Sequence, residues 1–112
     1  MSGTWVVVPA FDEAENLEVL VPRILDHLGL IPGGGHVLVV DDGSRDSTPD
    51  VMAKLCADND RVHVDRSVRN RGKAAALETG VRRVRELEQA DAVADPTAAW
   101  PAALLFVDGD LQ

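Results

Sequence analysis

Three short apolar runs, Thr4 to Val8, His36 to Val40 and Leu104 to Val107, each give way to polar, mostly acidic residues. Runs of this length, rich in β-branched side chains and bounded by breakers, are expected of strands buried on both faces. The segments between them have helical spacing. Asp12 followed by Glu15 forms a capping-box-like start, after which Leu17, Leu20, Val21, Ile24, Leu25 and Leu28 recur along one face until Gly29 ends the helix. A second helix is predicted from Thr48 as N-cap, with Pro49 at its first position, burying Val51 and Leu55 with Met52 at the border of that face. Arg61 to Asp65 alternates around Val62 and Val64 as an edge strand would. A third helix is predicted from about Gly72 to Glu88, with Leu77, Val81 and Val84 inward and arginines outward. Ala90 to Ala102, with Pro96 and Pro101, reads as a long loop.

Strands alternating with helices predict right-handed crossovers and a mostly parallel four-stranded sheet covered on both faces, a Rossmann-like three-layer α/β sandwich. At 112 residues there is room for one such domain. Hydrophobic residues at 46% and charged residues at 27% suffice for a packed core. A single cysteine, Cys56, forms no internal disulfide and reads as a small buried filler at the packing side of the second helix, in keeping with a reducing, cytoplasmic compartment. The N-terminus has no basic region before its apolar run, so neither a signal peptide nor a membrane span is expected there.

The net charge of −8 makes nucleic acid and anionic membrane surfaces poor partners for the chain as a whole. Its distribution is more informative. Residues 1–60 carry 11 acidic and 3 basic side chains, whereas residues 61–112 carry 8 of each. Arg61, Arg66, Arg69, Arg71, Lys73, Arg82, Arg83 and Arg85 face only Asp65 and Glu78 up to residue 85. A cationic segment lies inside an acidic protein.

Ligands of parallel sheets bind beyond the carboxyl ends of the strands, where strand order reverses. Pro9, Ala10, Phe11, Asp12 and Glu13 follow the first run, Asp41, Asp42 and Ser44 the second, and Asp108, Gly109 and Asp110 the last, while Arg69, Asn70, Arg71 and Lys73 precede the third helix. Asp108 and Asp110 flank a glycine, so on an extended strand their carboxylates leave on one side and suit Mg²⁺ or Mn²⁺. A lone Asp-x-Asp is more often a solvated turn, and position beside a buried run is what raises this one. Asp-Asp-Gly-Ser equally suits a turn or a helix cap, and the arginines equally suit a solvated face. Taken together, the acidic and basic ends suit a metal-bound diphosphate carrying an organic group. There is no Gly-rich dinucleotide or P-loop motif. His27, His36 and His63 show no ligand spacing and read as structural or surface residues.

The ordered series Val8-Pro9-Ala10-Phe11-Asp12-Glu13 with Asn16-Leu17, Val39-Val40-Asp41-Asp42-Gly43-Ser44 with Asp46, Ser47 and Thr48, Asn70 with Gly72 and Lys73, and Asp108-Gly109-Asp110-Leu111-Gln112 resembles the inverting, nucleotide-sugar-dependent glycosyltransferases. The branch it is most similar to is that of the dolichol-phosphate and polyprenyl-phosphate mannose and glucose synthases. The resemblance implies the N-terminal, nucleotide-binding half of a GT-A fold over residues 1–112. It implies a GDP- or UDP-sugar donor, held by Pro9, Ala10, Phe11, Glu13, Asp41, Asp42, Ser44, Asn70, Arg71, Lys73, Asp108 and Gly109. It further implies Mg²⁺ or Mn²⁺ on Asp108, Asp110 and Gln112, and an acceptor such as a membrane lipid phosphate. Relatives usually carry Tyr-Asn where Phe11-Asp12 stands here, which removes a phenolic contact and keeps a ring. The family's acceptor half and catalytic base follow the Asp-x-Asp segment, so the base is expected beyond Gln112 and the chain alone is expected to transfer nothing.

Two rivals, a signalling domain and a phosphatase, fit less well. A response-regulator-like domain puts its acidic pair after the first strand, and a haloacid-dehalogenase-like phosphatase puts Asp-x-Asp there. A non-catalytic nucleotide-binding or interaction module stays open, because a sheet ending at its fourth strand leaves an edge that invites pairing with a second copy.

Overall fold

The computed structural model describes residues 4–94 and 103–107. Its elements are β1 (Thr4–Ala10), α1 (Ala14–Leu28), β2 (Gly35–Asp42), α2 (Thr48–Asp58), β3 (Val62–Ser67), α3 (Lys73–Ala94) and β4 (Ala103–Phe106). All three pairings are parallel, in the order β3-β2-β1-β4, so strand order reverses beside β1. β3 and β4 are the edges, and on β4 Leu105 and Phe106 are about half exposed.

Alternation along the strands sorts the core into two layers. Val6, Val8, Val37 and Val39 face α1 and α2 through Leu17, Leu20, Val21, Leu28 and Met52, with Cys56 partly buried among them. Trp5, Val7, Leu38 and Val40 face α3. Each fully buried Val or Leu contributes on the order of 1.5–3 kcal/mol, so β1 and β2, buried along their whole length, anchor the domain.

Several local expectations need correction. β1 runs through Pro9 to Ala10. Val107 donates its N–H to the Val7 carbonyl at 3.0 Å, and Pro9, two residues on, turns its nitrogen to the same side, beyond the last described β1–β4 pair of Val7 with Phe106. β2 extends over Asp41 and Asp42, which pair in register with Arg66 and Ser67 of a correspondingly longer β3. Helix α3 buries Ala76, Gly80, Val84 and Glu88, while Leu77 and Val81 are only half-buried. A Cβ on Gly80 would lie 2.5 Å from Val7 Cγ1, so the small stripe lets this helix approach β1 closely. The helix continues past Glu88 to Ala94, which takes up the first part of the expected loop.

Glu88 is buried because it has a partner: Trp5 Nε1 donates to Glu88 Oε1 at 2.6 Å. Trp5 also stacks on His36, with ring centroids 4.7 Å apart and planes at 22°. His36 Nδ1 lies 3.0 Å from His63 Nε2. Far from being scattered, two of the three histidines form one cluster at the amino end of the strands, opposite the carboxyl ends.

One of the two facing nitrogens must accept, so the pair opposes double protonation. Burial, and then the positive charge of Arg83, hold His63 below its ordinary value of 6.5. The unfolded chain therefore binds more protons than the folded one as pH falls below about 6.5. Stability is expected to be full above that pH and to decline on acidification toward pH about 5.5, before most carboxylates titrate. Thermal unfolding across this window, compared with His63→Gln, checks it: the substituted chain should show a flatter slope, and an identical slope would exclude the histidine pair as the source.

Candidate functional site

The carboxyl ends of β1 and β2 are tied together by reciprocal bonds between their loops. Asp12, at φ +51°, accepts at Oδ1 from the Arg45 N–H at 2.8 Å and the Asp46 N–H at 3.3 Å. In return Ser44 Oγ accepts from the Asp12 N–H, and Thr48 Oγ1 from the Glu13 N–H, each at 2.9 Å. Asp12 thus caps the neighbouring loop rather than its own helix, whose N-cap is Glu13 without a side-chain cap bond. Thr48, expected as an N-cap, is the first helical residue behind Ser47. Its N–H and hydroxyl both donate to Asp46 Oδ1. Desolvation opposes ionisation of Asp46, but these bonds outweigh it and hold the carboxyl below its usual value.

Asp41 and Asp42, adjacent in sequence, leave β2 on opposite faces. Asp41 is fully buried: its Oδ1 accepts from the Ser44 N–H at 3.1 Å and from the Ser44 hydroxyl, and its Oδ2 lies 3.2 Å from Arg66 Nε. Asp42 turns toward α3, where Oδ1 accepts from the Arg71 N–H at 2.8 Å and Oδ2 from the Gly72 N–H at 2.9 Å. Asn70 Oδ1 also accepts from the Gly72 N–H, at 3.0 Å. Gly43, at φ +75°, lets the two loops touch, since a Cβ there would sit 2.6 Å from Arg69 C and Asn70 N.

These anchors shape a cleft of about 250 Å³ lined by Pro9, Ala10, Phe11, Glu13, Asp42, Asn70, Gly72, Lys73 and Ala76. It is open at the carboxyl end of β1, where strand order reverses, and Phe11 stands at its mouth, 38% exposed. Of the residues expected to meet a donor, seven line it: Pro9, Ala10, Phe11, Glu13, Asp42, Asn70 and Lys73. Asp41 and Ser44 lie outside it as internal supports, and Arg71 lines a separate groove with Arg66 and Arg69. Asp108, Gly109, Asp110 and Gln112 are outside the described residues. Sequence reading passed over Ala76 as a lining residue, and its small size in the first turns of α3 is the signal.

Among the described residues no group of three or more His, Cys, Asp or Glu side chains could hold a metal ion. Asp42 is already engaged with amides, and Glu13 accepts from Asn16 Nδ2 at 2.8 Å. Among those residues, no helix is long and apolar enough to cross a membrane.

Residues 5–112 match the Glycosyl transferase family 2 profile. The chain belongs to that family. The dolichyl-phosphate beta-glucosyltransferase of Mus musculus is 40% identical over 83 residues, covering 68% of this chain and 26% of that protein. The polyprenol monophosphomannose synthase of Mycolicibacterium smegmatis is 40% identical over 78 residues, covering 69% of this chain and 28% of that protein. The chain therefore spans about a quarter of the length of these relatives. Among solved structures, the mannosyltransferase PcManGT from Pyrobaculum calidifontis, in complex with GDP-Man and Mn²⁺, superimposes with a TM-score of 0.62 at 27% identity over 71% of this chain and 24% of that one. Staphylococcus aureus TarS gives a TM-score of 0.68 at 20% identity over 96% of this chain and 27% of that one, which bears on the fold alone. The architecture is that of the GT-A fold.

Proposed function

We propose that residues 1–112 form the nucleotide-sugar-binding portion of a metal-dependent glycosyltransferase that delivers a hexose from a GDP- or UDP-sugar to a polyprenyl phosphate. The observation that carries this reading is the cleft at the strand-order reversal, with an aromatic ring at its mouth and Asn70, Gly72 and Lys73 at the amino end of α3. Phe11, Pro9 and Ala10 offer an apolar surface for a base. The amino end of α3, with the Lys73 ammonium beside it, favours the diphosphate. The family relatives act on dolichyl or polyprenyl phosphates by their names, and the PcManGT complex holds GDP-Man with Mn²⁺.

The donor chemistry needs a cation, and the two carboxylates that line the cleft, Asp42 and Glu13, already accept from the Arg71 and Gly72 amides and from Asn16. Asp108 and Asp110, which follow Val107 directly in sequence, supply the hard oxygen donors that suit Mg²⁺ or Mn²⁺, with the Gln112 amide oxygen as a third. When bound, such an ion neutralises the diphosphate and improves it as a leaving group. The chain's own residues bind and orient: Phe11 packs the base, Lys73 and the α3 amides hold phosphate, and Asp42 keeps the Arg71-Gly72 turn in place. The catalytic base and acceptor contacts fall to residues outside this segment.

Titration with GDP and UDP, with and without Mn²⁺, followed by amide shifts, tests the reading. Metal-dependent shifts are expected at Phe11, Asn70 and Gly72, and Asp110→Ala should weaken the metal-dependent binding by at least about tenfold. A folded chain whose amide spectrum ignores both nucleotides would remove the donor assignment.

A further inference from the structure

The cationic segment divides into two sides. Asn70, Gly72 and Lys73 line the donor cleft, whereas Arg66, Arg69 and Arg71 line a second groove of about 570 Å³ with Ser67 and Val68. Arg66 is pinned at its Nε by buried Asp41, 3.2 Å away, and its side chain remains 55% exposed. Arg69 and Arg71 are exposed and pair with no carboxylate among the described residues. No Asp or Glu occurs from residue 66 to residue 77. Between the arginines stands Val68, 94% exposed, the most exposed large hydrophobic residue of the described chain.

An apolar side chain held out in water beside three guanidinium groups is complementary to an amphiphile, with anionic heads over an apolar layer. Free phosphate would have no use for Val68, and a single-stranded nucleic acid would call for an aromatic platform that this loop lacks. We propose that the loop joining β3 to α3 docks on the anionic headgroups of a lipid bilayer, with Arg66, Arg69 and Arg71 on phosphate oxygens and Val68 entering the interface. The net charge of −8 does not prevent this at physiological ionic strength. Screening falls within about 8 Å, and the two carboxylates of residues 1–60 that the structure places against this loop, Asp41 and Asp42, are buried and engaged with Arg66 and the Arg71-Gly72 amides, so a bilayer touching the loop tip meets the exposed Arg69 and Arg71 first.

The proposal does not depend on the donor assignment, and its test contains no nucleotide. The chain is sedimented with vesicles of phosphatidylcholine alone and of phosphatidylcholine mixed with phosphatidylglycerol, at physiological ionic strength. Partition is expected only onto the anionic vesicles. Arg69→Gln should lower it about fivefold and Val68→Ser several-fold, while both variants keep the far-UV spectrum of the parent. Failure to partition, or partition indifferent to both substitutions, overturns the proposal. Displacement by inorganic phosphate at matched ionic strength, or by single-stranded oligonucleotide at equal phosphate concentration, also overturns it in favour of a phosphate pocket or a nucleic-acid surface.

Discussion

Gly43→Ala is expected to lower stability by about 2–5 kcal/mol, among the largest effects of any single methyl group added to this chain. Two costs combine. The residue sits at φ +75°, where a Cβ costs about 1–2 kcal/mol, and that Cβ would lie 2.6 Å from backbone atoms of Arg69 and Asn70, a contact no rotamer change relieves. Overpacking against main chain adds about 1–3 kcal/mol and pushes the loop that carries Asn70, Gly72 and Lys73 away from β2. Gly33→Ala is the matched control. Gly33 has φ +86° but nothing within 4 Å of the added carbon, so it should pay the conformational cost alone. Denaturant unfolding of the two variants isolates the contact, and the Gly43 variant should also bind nucleotide more weakly. Equal destabilisation of the two would mean that the loops do not approach each other closely.

The fold was legible because three short apolar runs and one strong helical stripe admit few arrangements, although the third run forms an edge strand with Leu105 and Phe106 half exposed rather than one buried on both faces. Leu17, Leu20, Val21 and Leu28 are buried as the periodicity requires, and the residues that follow β1 and β2 meet those at the start of α3 in one cleft. What escaped the sequence lay in competition between polar groups. Asp12 and Thr48 were each expected to cap their own helices, yet each bonds across to the other loop, a long-range pairing over 33 to 35 residues that local patterns cannot reveal. Asp41 and Asp42 both read as donor-binding residues, and strand alternation sends one carboxylate beneath Ser44 and the other to the start of α3. Likewise Arg71 and Lys73 read as one phosphate-binding cluster, and the left-handed turn at Gly72, φ +94°, helps place them on different grooves. On α3 the larger Leu77 and Val81 suggested the inward face, whereas close packing against Val7 selects the smaller Ala76 and Gly80, and Trp5 draws the carboxylate of Glu88 inward.

Asp42 offers the sharpest separation of a positioning role from a direct ligand contact. The residue is 5% exposed, and its carboxylate accepts two backbone N–H bonds, from Arg71 and Gly72, at 2.8 and 2.9 Å. Bonds from amides to an ionised acceptor are about twice as strong as neutral ones, and removing the acceptor leaves the Arg71 amide without it in a partly buried turn. Asp42→Ala should therefore cost about 2–4 kcal/mol. Asp42→Asn should restore only one of the two bonds, because its amide nitrogen would face a second donor. Both variants should loosen the wall formed by Asn70, Gly72 and Lys73 and weaken nucleotide binding. Hydrogen exchange without nucleotide decides the mechanism. If Asp42 positions the turn, the Arg71 and Gly72 amides lose protection in the ligand-free variants, in step with the loss of affinity. If those amides keep their protection while affinity falls, the carboxylate meets the nucleotide directly and the turn holds itself. The geometry predicts the first result, because each carboxylate oxygen already accepts a turn amide before any ligand arrives.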